Sequence, residues 1–175
     1  HLYLRDLGYY KMDEFSKIIA ADAHFVSRYK SGTNIYTKTI NKEDNTEEYI
    51  LVDLKQLLKS VSEQKNIPIF LSEQKIPVQL FIEKLPELVA QEKRRQLKAK
   101  VAKNKNWTLS EERKLLCDFN LYIADRNIGL TLKQIVMVYA LRWQIELTFK
   151  IWKSIFKINQ KLNHTNIFRF ECYLY

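Results

Sequence analysis

From Ser31 to about Pro86 the chain runs as short β-prone segments, "NIYTKTI", "EEYILVDL", "IPIFL" and "IPVQLFIEKL", separated by polar turns and by Pro68 and Pro77. Runs of this kind call for a sheet, and what flanks them decides which sheet. On the N-terminal side "HLYLRDLG" alternates apolar and polar residues up to Asp6 and Gly8, a short strand that delivers a carboxylate at its C-terminal end. Phe15, Ile18 and Ile19 then fall at helical spacing and "HFVSRYK", His24 to Lys30, returns to strand character, giving a β-α-β start. Within the β-rich block one short helix is expected at Leu54, Leu57, Leu58 and Val61.

On the C-terminal side "PELVAQEKRRQLKAKVAKNKNW" starts a helix near Pro86 and carries seven Lys or Arg from Lys93 to Lys105 with no acid among them. The plain reading of such a run is a solvated helix face. Thr108 and Glu111 form a capping box for a short helix through Leu116, "FNLYIAD" reads as a buried strand, and Thr131 with Gln134 caps a long final helical segment. The pattern is mixed α/β: residues 1–30 belong to a core, 31–86 to a β-rich insertion, 87–107 to a basic helix, and 108–175 to the rest of the core.

With 175 residues and 46% hydrophobic content the chain can fill one domain, with or without an inserted piece. Three Gly and three Pro leave no flexible linker. Lys and Arg number 29 against 20 acids, a net charge of +9 that attracts polyanions such as nucleic acid or acidic lipid, although a merely basic protein has the same balance. Cys117 and Cys172 suggest neither a disulfide framework nor a zinc site, and His1, His24 and His164 are scattered. No apolar run reaches the roughly 18 residues of a membrane span, and no leader opens the chain, so a soluble intracellular protein without a membrane partner is expected. The opening on His1 inside a strand pattern and the close on "RFECYLY" inside a helical one suggest a piece of a longer polypeptide.

The final helical segment contains "YALRWQIELTFKIWK", Tyr139 to Lys153. A helix turns about 100° per residue, so with Glu146 as origin Arg142 lies roughly 40° to one side, and Tyr139 and Lys153 lie within roughly 20°. Lys150 is the i+4 neighbour of Glu146, while Trp143, Ile145, Leu147, Ile151 and Trp152 occupy most of the remaining cylinder. Arg142, Glu146 and Lys150 are also a plain i, i+4 ladder, worth only about 0.2–0.5 kcal/mol per pair on an exposed helix. The apolar surroundings favour a stripe that faces a cleft, where an acid can bind an ion and the cations can hold a negative substrate.

The spacing of Tyr139, Arg142, Glu146 and Lys153, with "RWQIE" around the acid, resembles the signature of DDE transposases of bacterial insertion sequences, in the insertion-sequence-four family. "LRDLGYYKMDEFSKI" followed by "HFVSRYKSGTNIY" is similar to the segment that carries that family's second catalytic Asp, which falls on Asp6. "FECYLY" resembles the helix that closes the family's core, so the likeness covers nearly the whole chain.

The resemblance implies a ribonuclease-H-like catalytic core in which two strand-borne Asp and one helix-borne Glu hold two divalent ions, magnesium or manganese. It makes Asp6 and Glu146 the catalytic metal ligands, puts Arg142 and Lys153 on DNA phosphates and has Tyr139 position the strand. It implies hydrolysis at transposon ends and transfer of the freed 3′-hydroxyl into target DNA, by a bacterial cytoplasmic, nucleoid-associated protein that acts as a homodimer on DNA when complete. The family's first Asp is expected upstream of Asp6, so the core is incomplete at its N-terminus and this piece alone is expected to be inactive. Asp118 and Asp125 read as turn or cap residues. Given a DNA partner, Lys93, Arg94, Arg95 and Lys98 become candidate backbone contacts, and Trp107 either stacks on an unpaired base or caps the core. The rival readings are a non-catalytic basic DNA-binding module, a nuclease of the same core, and an inactive remnant of a mobile element.

Overall fold

The strand–helix–strand opening forms as its periodicities require. In the computed structural model β1 (Leu2–Arg5) leads through a 3-10 turn (Leu7–Tyr9) into α1 (Met12–Ala20), and β2 (His24–Arg28) returns parallel to β1. The structure describes residues 1–41, 45–103 and 110–155, without the side chains of residues 145, 146, 153 and 155. The expectations for Lys105, Trp107, Thr108, His164, Cys172 and "FECYLY" lie outside the described residues. The chain divides into two units, His1–Ile135 and Val136–Tyr175.

The β-rich block supplies β3 (Ile35–Ile40), β4 (Glu47–Leu51), α2 (Leu54–Lys59), β5 (Gln64–Leu71) and β6 (Ile76–Lys84). Then follow α3 (Glu87–Lys103), α4 (Glu111–Leu116), β7 (Phe119–Asp125) and α5 (Leu132–Ile155). One seven-stranded sheet results, in the order β1-β2-β7-β6-β5-β3-β4, with β1 and β2 its one parallel pair among the described residues. The strands of residues 31–86 thus stand in the same sheet as β1, β2 and β7.

Two local expectations need correction. Pro68 and Pro77, read as strand breaks, lie inside β5 and β6 opposite Gln79 and Phe70. The ladder tolerates them because β3 reaches β5 only at Phe70 and Leu71, and β7 reaches β6 only from Val78 onward. Each proline can therefore turn its donor-less nitrogen to a side with no ladder partner. The cap of α4 is Ser110, whose side chain accepts from the Arg113 N–H at 3.2 Å. The Thr131–Gln134 capping box forms as read: Thr131 N–H donates to Gln134 Oε1 at 2.9 Å and Gln134 N–H to Thr131 Oγ1 at 3.4 Å.

Burial follows the pleat. Phe25, Leu80, Ile82, Leu121 and Ile123 line one sheet face and pack with Phe15 and Ile18 of α1 and Leu54 and Leu58 of α2. Phe15 stacks on Phe25 with centroids 4.4 Å apart and meets Tyr10 edge-on at 5.1 Å. On the opposite face Val26, Phe81, Tyr122 and Ala124 are also buried. Among the described residues no helix is long and apolar enough to cross a membrane.

Tyr29 ends this core with its hydroxyl donating to the Thr33 carbonyl at 2.5 Å. Burial raises its pKa well above the ordinary tyrosine value of about 10, and burial likewise raises that of Tyr10. Above pH 10 an unfolded chain sheds these protons while the folded one keeps them, so the stability they support is full below pH 10 and falls as pH rises through the raised values. The expected result is alkaline unfolding setting in above about pH 10, with a shallower pH dependence in Tyr29→Phe, read by circular dichroism across a pH series.

Candidate functional site

Asp6 stands where β1 stops. It is half-buried and extended, with φ −80° and ψ 162°, and its Oδ1 accepts the Leu7 N–H at 2.7 Å, so the carboxylate caps the 3-10 turn that follows. This bond fixes the direction of one carboxylate oxygen. As a hard oxygen donor Asp6 suits magnesium or manganese better than a soft metal. Among the described residues no three His, Cys, Asp or Glu side chains come together as a metal site.

The register carries the geometry further. Leu4 pairs with Val26 and Arg5 with Ser27, the last pair of the ladder, so Asp6 and Arg28 are the residues that follow it on the two strands. Arg5 points to the α1 side, where it meets Glu14 at 3.5 Å, and alternation puts Asp6 and Arg28 on the other face. Arg28 pairs with Tyr122 and shares that face with it and Asn120.

Arg28 also lines a cavity of about 480 Å³ with Lys93, Lys100 and Arg113. Lys93 turns inward and donates to Asn120 Oδ1 at 2.8 Å, while the Asn120 amide donates to Glu83 at 3.0 Å. Burial, assisted by the neighbouring Arg28 charge, holds the Lys93 pKa below the usual lysine value. The other three candidates on α3 are placed differently. Arg94 pairs with Glu87 at 2.6 Å and Asp118 at 3.3 Å, Arg95 pairs with Glu92 at 2.9 Å, and Lys98 is exposed about 140° around the helix from Lys93. Sequence reasoning did not single out Arg28 or Arg113, which line this cavity with Lys93 and Lys100 of the basic run. Of the two only Arg28 had a signal, its place on β2 in the β-α-β unit that carries Asp6.

On α5, the Arg142 guanidinium lies 5.3 Å from the centroid of the Tyr139 ring, and Tyr139 is buried. Glu146 and Lys153 lie on the same helix, their side chains outside the described set. Met137, Leu141, Trp143, Phe149 and Ile151 are exposed, so the apolar part of this helix is not wholly a core face.

Asp118 and Asp125 do more than cap turns. Asp118 holds Arg94, and Asp125, buried at the end of β7, accepts from the Asn127 N–H at 3.2 Å and lies 2.6 Å from His24 Nδ1. The His24 bond ties the start of β2 to the end of β7, at the end of the sheet away from Asp6. Asp125→Ala is expected to cost about 2 kcal/mol in a urea unfolding titration, because a charged hydrogen bond goes and Asn127 N–H loses its acceptor. Asp125→Asn, which keeps an acceptor oxygen, is expected to lose less.

Over residues 1–174 the sequence matches the family described as Transposase DDE domain. It is 34% identical over 187 residues to the transposase for insertion sequence element IS1151 of Clostridium perfringens, covering 99% of this chain and 39% of that protein. It is 31% identical over 186 residues to the transposase for insertion sequence element IS231B of Bacillus thuringiensis subsp. berliner, covering 99% of this chain and 38% of that protein. The counterpart from IS231F of Bacillus thuringiensis subsp. israelensis is also 31% identical, over 185 residues. The chain spans 38–39% of the length of these relatives.

Proposed function

The chain belongs to the Transposase DDE domain family, and from that membership we propose that it is part of the catalytic domain of an insertion-sequence transposase of the insertion-sequence-four group. On this reading β1, α1, β2 and α5 belong to a ribonuclease-H-like core, and β3 to β6 are an insertion that widens its sheet. The observation that carries the proposal is Asp6, fixed at the C-terminal end of a strand in a parallel β-α-β unit, in a chain whose Tyr139, Arg142, Glu146 and Lys153 follow at the family spacing on one helix.

Asp6 and Glu146 would hold the divalent ion, magnesium or manganese, and a first Asp on an upstream strand would complete the set. When bound, such an ion supplies Lewis acidity to the attacking and departing oxygens of a phosphodiester. Asp6 contributes an oxygen whose direction is already set by the Leu7 N–H, so little reorganisation accompanies binding. Arg142 and Lys153 would hold phosphates near the cut by charge-assisted hydrogen bonds, and Tyr139, over whose ring the Arg142 guanidinium lies, would position the strand or a nearby base. The reaction would be hydrolysis at transposon ends followed by strand transfer into target DNA, performed by the complete protein as a homodimer on the bacterial nucleoid. Without the upstream Asp, the chain is expected to be inactive by itself.

The test is nicking of supercoiled DNA by a polypeptide with the upstream strand restored, in magnesium and in EDTA, with and without Glu146→Gln. Nicking that needs both magnesium and Glu146 is the expected result, and equal rates for both proteins reject the assignment. DNA binding with no response to magnesium and no nicking would favour a non-catalytic basic module.

A further inference from the structure

We propose that the cavity between α3, α4 and the adjoining ends of β2 and β7 is a docking channel for successive backbone phosphates of the DNA strand that reaches Asp6, with Arg28, Lys93, Lys100 and Arg113 as its cations. The proposal deepens the transposase reading and rests on it. Its first support is position. Asp6 and Arg28 each follow by one residue the Arg5–Ser27 pair that ends the parallel ladder, and alternation turns both to the same face, so the cavity's Arg28 stands at the same end of the β1–β2 pair as the proposed metal ligand.

Charge is the second support. Four cations line the cavity, and among the described residues none of its lining side chains is acidic; elsewhere on α3, Arg94 pairs with Glu87 and Asp118 and Arg95 with Glu92. Lys93 is drawn in against a neutral amide oxygen instead of a carboxylate, with another cation near it. Like charges held together in a partly dry site disfavour each other, and an anion entering between them relieves that repulsion. Ser31 and Gln96 add neutral hydrogen-bonding groups to the wall.

Spacing selects a strand over a free ion. Lys93, Gln96, Leu97 and Lys100 recur at helical spacing and form one stripe of α3 facing the cavity. Lys93 and Lys100 are two turns apart, about 10 Å along the axis. That spread suits consecutive phosphates better than a single one.

Arg28 and Lys100 are exposed, so replacing them leaves the core intact. Fluorescence anisotropy of the 175-residue chain with a short labelled duplex, over a potassium chloride series, compares Arg28→Gln, Lys100→Gln and the double variant with Lys59→Gln and Lys65→Gln, exposed lysines of α2 and β5. Each cavity substitution is expected to weaken binding about three- to tenfold and to lower the slope of log K against log salt by about 0.9 per lost phosphate contact. The two comparators are expected to stay within about twofold with an unchanged slope. Comparators that match the cavity variants, an unchanged slope in the cavity variants, or no binding by the unsubstituted chain would overturn the proposal. So would inorganic phosphate displacing DNA, at constant ionic strength, from the unsubstituted chain but not from the double variant, since the cavity would then be a free-anion site. Cavity variants that bind normally while nicking still needs Glu146 would remove the channel and leave the transposase reading standing. Cavity-dependent binding without any nicking would do the reverse.

Discussion

Asp6→Asn and Glu146→Gln are each expected to lower magnesium-dependent nicking by about 10³-fold or more in a polypeptide that supplies the upstream acid. Each change keeps the size of the side chain and one acceptor oxygen but removes the negative charge that a hard cation requires. Losing roughly 4 kcal/mol of charge stabilisation at the transition state corresponds to a factor of about 10³ in rate. On the proposed reading both residues serve one ion site, so the double variant is expected to fall little further than either single one. A purely structural role for Asp6 would behave differently. Asparagine can still accept the Leu7 N–H, so thermal unfolding of Asp6→Asn should stay close to that of the unsubstituted protein while nicking collapses. A loss under tenfold, or two losses that multiply in the double variant, would separate these residues from a common site.

Phe15→Ala carries the largest expected effect on the fold, about 3–5 kcal/mol. The ring is fully buried, stacks on Phe25 and stands perpendicular to Tyr10, so its removal empties the junction between α1, β2 and the turn after β1. Against a typical domain stability of about 5–15 kcal/mol, such a loss leaves little margin. Its consequence for function is positional. Tyr3 pairs with Phe25 on the strand that ends at Asp6, so loosening this layer should release the carboxylate before the far strands β3 and β4 are affected. Hydrogen exchange would show this as lost protection in β1 and β2 under conditions that still protect β5 and β6. Uniform loss across the sheet would mean that the β-α-β unit has no separate weakness.

The parts legible in the sequence are those governed by local periodicity. Alternation through Leu4 and Asp6, then helical spacing of Phe15 and Ile18, located the β-α-β unit and the carboxylate at its end. Thr131 with Gln134 announced α5 through a cap built within four residues. Longer-range facts were hidden. Pro68 and Pro77 read as breaks because a lone strand says nothing about where its neighbours stop. The run from Lys93 to Lys105 contains no acid, yet Arg94 and Arg95 are matched by Glu87 and Glu92, just ahead of the run, and by Asp118 from beyond α4. Helix phase and folding, not composition, separated Lys93 and Lys100 from Arg94 and Arg95. Arg28 and Arg113 lie 85 residues apart in the chain, and only tertiary structure sets them around one cavity.

Manganese titration followed by paramagnetic broadening of amide resonances tests the shared ion site most directly. With one site common to both acids, resonances of Leu7 and Gly8 and those flanking Glu146 should broaden together at the same manganese concentration, and either Asp6→Asn or Glu146→Gln should relieve both groups. Broadening at one carboxylate alone, or relief confined to the substituted side, would contradict a common metal centre.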